Sequence, residues 1–188
     1  FSAIKTAFEV IYLNLSLSLD HMKMFNEALI DHLLTRDGVH ESYLHFTVFD
    51  LIMNENLPAL QAFHKKGLDL SFVHVSQSGR PNSSPLSVSV FFDKLEIFKF
   101  LVSTGISLTE NLGIPNLEHI LILAIFRNSL SIIGHFLDNS DLALSDAIMG
   151  SFLKAILAFD SADVLKLFLE KFGDNIWSKF EEEIKIST

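Results

Sequence analysis

The sequence predicts an all-α fold in which short helix pairs stack on one another. Three observations favour this class. Hydrophobic residues make up 49% of the chain and charged residues 20%, as expected for a folded domain. Glycine and proline are scarce, at 8 and 4 residues, which disfavours a turn-rich β-sandwich. Segments with apolar residues at helical spacing recur along the chain, and such recurrence is the signature of a repeat architecture.

Four segments share the pattern of an amphipathic helix followed by a loop. In the clearest one, Leu95, Phe98 and Leu101 form the i, i+3 stripe of such a helix. Gly67 and Gly105 fit the left-handed position that follows a helix C-terminus. The positions that end successive segments, from Gly67 to Phe172, are 38, 35 and 32 residues apart. The segments begin at Asn56, Lys94, Ser129 and Ser161, and these end positions are Gly67, Gly105, Ser140 and Phe172.

A shorter apolar segment precedes each of these helices. The repeating unit is therefore a short inner helix, a tight turn, a longer outer helix and a loop. One such pair cannot bury its apolar face alone, so neighbouring pairs must stack. The four inner segments are residues 48–53, 86–92, 120–126 and 152–159.

The sequence from Ser84 to Ser87, Ser-Pro-Leu-Ser, carries a resemblance to a known family. Together with the helix that runs to Gly105, it resembles the ankyrin repeat, whose consensus begins Thr-Pro-Leu-His and closes Gly-Ala-Asp. Ser84 can cap the inner helix, and Pro85 stands in its first turn, where a missing N–H is tolerated. The resemblance covers roughly residues 46 to 173. A solenoid of another helix-pair family is the alternative interpretation.

Three consensus features are altered in every repeat. The motif histidine is replaced by Phe49, Ser87, Ile122 and Lys154. The close-packing alanine pair is replaced by Leu51-Ile52, Ser89-Val90, Ala124-Ile125 and Ile156-Leu157. The turn glycine is replaced by Glu55, Asp93, Asn128 and Asp160. We expect the bulkier residues at the alanine positions to change the spacing of the helices.

Three regions follow from the repeat. Residues 1–45 are expected to form an N-terminal helical cap or a decayed repeat, with helices near residues 4–13 and 21–35. Residues 46–173 hold the four repeats. Residues 174–188 are expected to form a C-terminal capping helix, because Trp177, Phe180 and Ile184 share a helical face. The first residue is Phe1 rather than Met, so we expect a fragment of a longer protein.

The net charge of −9 bears on the partners of the chain. Nucleic-acid binding gains most of its affinity from Lys and Arg that neutralise phosphates, and the 14 basic residues here are scattered. We therefore expect no nucleic acid and no acidic membrane surface as partners. No apolar run reaches the roughly 20 residues of a membrane span. The chain has no cysteine, which excludes disulfides and allows an intracellular location.

The sequence carries no recognisable motif of catalysis or metal binding. The eight histidines include His40 and His45, but no pair has the His-x-x-x-His spacing of a helical zinc site. The sequence has no Gly-x-Ser-x-Gly, P-loop or dinucleotide fingerprint. We therefore predict that the chain is not an enzyme and has no catalytic residues, metal site or cofactor.

The resemblance implies that binding occurs on the concave face, which is built from loop fingers and inner-helix ends. Aromatic residues and Arg are enriched among residues that dominate interfaces. Our hypothesis is that Phe92, Phe126, Arg127 and Phe159 line a partner groove; the alternative is that the phenylalanines fill space left by the missing alanines. Arg80, in a polar finger at residues 76–82, is a second candidate. The resemblance to ankyrin repeats places the inner-helix contact positions at Met53, Asn54, Phe91, Phe92, Phe126, Arg127, Ala158 and Phe159.

The expected function is that of a protein–protein interaction module, such as part of a scaffold or adaptor. Degenerate arrays rich in Phe, Leu and Ile resemble those of microbial or protist proteins, so a secreted effector that works inside a host cell is one form of this function. The alternative is a helical regulatory domain of a larger enzyme. A third interpretation is a small-ligand pocket between loosely packed helices.

Overall fold

The computed structural model describes residues 41–74, 83–106, 117–138 and 146–173, and the regular secondary structure in these ranges is helical. The all-α prediction is confirmed for this part of the chain. None of its helices is long and apolar enough to cross a membrane. The helices are α1 (Glu41–Met53), α2 (Leu57–Lys65), α3 (Pro85–Phe91), α4 (Leu95–Ser103), α5 (Leu117–Arg127), α6 (Leu130–Asp138), α7 (Asp146–Ala158) and α8 (Ala162–Phe172).

The expected N-terminal and C-terminal caps lie largely outside the described residues, as does Arg80. The four outer helices each begin one residue after the predicted segment start. The inner helices α1, α5 and α7 begin earlier than predicted, and α1 crosses the expected boundary between residues 45 and 46. Their first turns contain polar residues, such as Glu118 and His119, that are compatible with a helix but lie outside the apolar runs on which the prediction was based.

The same tight turn joins the two helices of every pair. Its left-handed residue has a φ between 51° and 56°, a conformation that non-glycine residues adopt at a cost of roughly 1–2 kcal/mol. In the second pair, the Lys94 N–H donates to the Ser89 carbonyl at 2.8 Å, five residues back, as in a Schellman motif. The equivalent bonds in the other pairs are 2.8 to 3.1 Å long. The left-handed residues are Glu55, Asp93, Asn128 and Asp160.

The pairs pack in two rows. The inner helix α1 contacts α3, which contacts α5, which contacts α7. The outer helices α4, α6 and α8 contact one another in the same order, and the His64 and Phe100 rings, 6.0 Å apart, join α2 to α4. Within each pair the inner helix also contacts its outer helix. Each described pair therefore follows the preceding one along both rows.

The hydrophobic core lies between the two rows. Leu121 and Ile125 on α5 are fully buried, and the Phe98 and Phe136 rings meet edge to face at 5.3 Å between α4 and α6. Positions aligned with the alanine pair are buried in the middle pairs, at Ser89, Val90, Ala124 and Ile125. The middle pairs thus keep a small residue where inner helices approach one another, which favours close packing.

Three predicted helix termini are confirmed, one start and two ends. The Ser84 hydroxyl accepts a hydrogen bond from the Ser87 N–H at 3.1 Å, and the Ser87 hydroxyl accepts one from the Ser84 N–H at 2.8 Å. This capping box begins α3 with Pro85 in the first turn. It also gives a structural role to Ser87, which stands where the motif has histidine. Gly67 and Gly105 have φ of 92° and 90°, as the left-handed prediction requires.

Candidate partner-binding surface

The residues predicted at the four inner-helix ends are all exposed. Phe92 is 40%, Phe126 55% and Phe159 42% accessible to solvent, so these rings do not fill space between the helices. Met53 and Phe91 are each 37% exposed. The alternative interpretation of the phenylalanines as core replacements is therefore wrong. Large exposed apolar side chains in a cluster are more informative than single ones, because patches of this kind mark interaction sites.

The turn geometry explains why these rings face outward. The last core position of α3 is Val90, which is fully buried. Each further residue of a helix rotates by about 100°, so Phe91 and Phe92 leave the core face before Asp93 turns the chain. The same step exposes Phe126 after the buried Ile125.

Contacts between neighbouring pairs join the exposed residues. The Arg127 guanidinium carbon lies 3.8 Å from the centre of the Phe91 ring, and Arg127 Nε donates to the Phe91 carbonyl at 3.3 Å. Phe126 and Phe159 meet edge to face at 5.1 Å, and Phe91 and Phe92 meet at 5.0 Å. Both cross-pair contacts follow one pattern. The residue two before the left-handed turn residue (Phe91 or Phe126) touches the residue directly before that turn residue in the next pair (Arg127 or Phe159). We call Phe91, Phe92, Phe126, Arg127 and Phe159 the aromatic strip.

Met53 and Asn54 occupy the equivalent positions of the first pair and are also exposed. The Asn54 side chain donates to the Asp50 carbonyl at 2.8 Å within its own helix end. Burial raises the pKa of the Asp50 carboxyl above its ordinary value. The predicted candidates of the first pair therefore share the exposure of the aromatic strip, while the structure gives Asn54 a capping role.

Polar contacts between pairs were missed by the sequence reasoning. The Asp93 carboxylate accepts hydrogen bonds from the Ser131 and Ile132 N–H groups, at 3.3 and 3.2 Å, and so caps α6 from the preceding pair. The corresponding Asn128 donates to the Asp163 carboxylate at 3.2 Å. At the first turn, Lys94 forms an ion pair with Glu55. The sequence feature that could have predicted these contacts is the polar residue that replaces the consensus turn glycine in each pair.

Two serines at equivalent positions hold the inner row together. The Ser129 hydroxyl donates to the Val90 carbonyl of the preceding pair at 2.7 Å, and Ser129 is only 1% exposed. Ser161 donates to the Ile125 carbonyl in the same way at 3.2 Å. These bonds fix the helix ends that carry the aromatic strip, so the strip stands on a rigid support.

A second aromatic group lies where the finger leaves the first pair. His45 stacks on Phe72 at 3.7 Å, and His74 contacts Phe46 at 4.9 Å. His74 also pairs through its backbone with Ser83, which brings together the two ends of the segment 75–82. Among the residues described, no group of three or more His, Asp or Glu side chains is placed to hold a metal ion.

Comparison with protein-family models, with curated proteins and with solved structures finds no match to this chain.

Proposed function

We propose that this chain is a protein-interaction module, in which ankyrin-like helix pairs stack and bind a partner protein through the aromatic strip. The observation that carries the proposal is that each of three successive pairs exposes a phenylalanine at one of its two inner-helix end positions: Phe92, Phe126 and Phe159. This regularity distinguishes the strip from apolar residues scattered singly over a surface, which are normal.

The chemistry of the strip suits recognition of apolar side chains. Phenylalanine rings supply large contact areas and lose few rotamers on binding. The Arg127 guanidinium lies over the Phe91 ring and its Nε donates to the Phe91 carbonyl, so its position is set before a partner arrives. A preorganised surface loses less conformational entropy on association and therefore binds more tightly.

The rigidity of the support favours the same role. Ser129 and Ser161 tie the turns of the third and fourth pairs to the inner-helix ends of the pairs before them. Binding sites on fixed elements hold their geometry better than sites on loops. In this role the surface binds a partner and carries out no chemical step.

The experiment that tests this proposal places a photocrosslinking phenylalanine analogue at Phe92 or at Phe126. Lys99, which is exposed on the outer helix α4, is the matched control position. We expect both strip positions to capture the same partner and the control position not to capture it. The captured partner is then purified and its affinity for the chain is measured directly.

The decisive variant replaces Phe92 and Arg127 together by alanine. Residues at the centre of an interface contribute more than about 1 kcal/mol each, so we expect the purified partner to bind at least tenfold more weakly. Circular dichroism and the unfolding midpoint show whether the variant is folded. Unchanged affinity in a folded double variant would contradict the proposal.

A further inference from the structure

Arg127 is the single charged side chain of the aromatic strip. Its guanidinium carbon lies 3.8 Å from the centre of the Phe91 ring, and its Nε donates to the Phe91 carbonyl at 3.3 Å. A guanidinium has five N–H donors. In the part of the chain that the structure describes, no other group accepts a hydrogen bond from Arg127. Both of its terminal amino groups are therefore available to a ligand.

The carboxylates at the neighbouring turns are bound elsewhere. Asp93 accepts hydrogen bonds from N–H groups of α6, and Glu55 pairs with Lys94. None of the ion pairs between described residues includes Arg127. The positive charge of Arg127 thus has no carboxylate partner among these residues, although the net charge of the chain is −9.

Arg127 lies at the end of the helix pairs where the tight turns are. The inner helix α5 ends at Arg127, and α6 then runs back from Leu130 to Asp138. Segments outside the described ranges follow the far ends of outer helices, such as Asp138 and Phe172. These ends are roughly 15 Å from the turns, at 1.5 Å per helical residue. The location of Arg127 therefore favours an occupant that comes from another protein.

A carboxylate is the ligand that suits this charge. A guanidinium can bind a carboxylate through two parallel N–H···O bonds. A phosphate group carries about −1.5 to −2 charge and is typically bound by a cluster of Arg residues. The strip has no second cation, and the acidic residues Asp93 and Asp160 directly follow Phe92 and Phe159. The surface therefore matches one negative charge better than two.

We propose that Arg127 binds the side-chain carboxylate of an Asp or Glu residue of the partner protein, while apolar residues beside it pack on Phe92 and Phe126. The inference rests on the proposed function of the aromatic strip and adds the chemistry of the partner. Apolar contacts around an ion pair exclude water, which strengthens an attraction that is weak on an open surface. The segment that binds the strip is therefore both acidic and apolar.

The experiment selects peptides from a phage-displayed library of random dodecapeptides on the full 188-residue chain. Parallel selections use Arg127→Gln, Phe92→Ala with Phe126→Ala, and Lys99→Gln, a matched loss of charge on the exposed face of α4. We expect the unaltered chain and Lys99→Gln to enrich Asp or Glu beside Leu, Phe or Trp. Arg127→Gln should retain only the apolar enrichment, and the double variant should lose both. Circular dichroism checks that each variant is folded.

The outcomes of this selection separate the two proposals. Peptides that depend on Phe92 and Phe126 but carry no excess of Asp or Glu overturn the role of Arg127 and leave the proposed function intact. A selection in which no peptide depends on these phenylalanines overturns both. Acidic enrichment that persists on Arg127→Gln overturns the role of Arg127 alone.

Fluorescence anisotropy then measures a selected peptide before and after its acidic residue is replaced by the corresponding amide. We expect about tenfold weaker binding to the unaltered chain, because a charge-assisted hydrogen bond is lost, and no change on Arg127→Gln. Equal losses on both chains overturn the proposal. A phosphoserine at the acidic position that binds more tightly, or a tenfold loss on amidation of the peptide C-terminus, also overturns it, since the ligand would then be a different anion.

The acidic run of the chain itself, Glu181 to Glu183, is the competing occupant. Replacing all three residues by Gln in the full chain should leave the affinity for the selected peptide unchanged. A tenfold gain in affinity that is absent when Arg127→Gln is combined with this change would show that the run occupies Arg127, and would overturn a partner protein as the source of the carboxylate.

Discussion

The joint between the second and third pairs and the joint between the third and fourth pairs have the same backbone but different side-chain contacts. In the first, Asp93 caps two N–H groups of α6 and Ser129 makes a buried 2.7 Å hydrogen bond. In the second, Asn128 reaches only a side chain, and the bond of Ser161 is 3.2 Å long and partly buried. A common turn therefore sets where pairs meet, and side chains decide how strongly they are held.

The comparison bears on the aromatic strip. Arg127 crosses the first joint to Phe91, and Phe159 crosses the second to Phe126. We infer that the half of the strip at Phe91 and Phe92 is held more rigidly than the half at Phe126 and Phe159. The predictions that follow test whether the two joints differ as their contacts indicate.

The largest effect is expected from Phe98→Ala. Phe98 is 1% exposed and packs on Phe136 across the first joint, so its loss leaves a cavity and lowers the free energy of unfolding by about 3–5 kcal/mol. Phe100→Ala, on the same helix at a half-buried position, is the matched control and should have a clearly smaller effect. Urea denaturation followed by circular dichroism measures both. Equal losses would show that Phe98 is not central to the joint.

Asp93→Ala is expected to lower the free energy of unfolding by about 1–2 kcal/mol, because it removes the cap of α6. Asp160→Ala places alanine in the same left-handed backbone, with a φ of 51° against 52°, where no described residue bonds to the side chain. The difference between the two variants therefore isolates the cap. Thermal and urea unfolding give this difference, and its absence would refute the capping role of Asp93.

Ser129→Ala should lower the free energy of unfolding by about 1 kcal/mol, the typical net value of a buried hydrogen bond. Ser161→Ala removes the longer and partly buried bond of the second joint, so we expect about half of that effect. Both carbonyls keep a turn hydrogen bond in the variants, from Asp93 N–H to Val90 and from Asn128 N–H to Ile125. A larger loss for Ser161→Ala would reverse the order of the joints.

The smallest effect is expected for the ion pair between Lys94 and Glu55. The Glu55 side chain is 67% exposed, so water and salt screen the attraction and the coupling is below about 1 kcal/mol. A double-mutant cycle with Lys94→Met and Glu55→Gln measures this coupling, and 1 M NaCl should remove it. A coupling that persists in high salt would mean that the joint between the first and second pairs depends on this ion pair.

The sequence determined the helical content and the positions of the helix pairs along the chain. The i, i+3 stripes gave the start of each outer helix to within one residue, because a helix that buries one face must repeat its apolar residues at that spacing. Ser84 and Pro85 identified the start of α3, and Gly67 and Gly105 identified two helix ends, since these residues have strong local preferences. Inner-helix starts such as Glu41 were missed because polar residues in a first turn carry no apolar signal.

Only the tertiary structure decided which residues of the repeat are buried. Leu157 and Ile125 occupy the same position of the repeat and read as equivalent hydrophobic residues, yet one is exposed and the other fully buried, because burial depends on what packs above each helix. The bonds from Asp93 to the next outer helix likewise depend on the neighbouring pair. Local sequence specifies a helix and its turn, whereas the exposure and bonding of a side chain depend on residues that are more than thirty positions away.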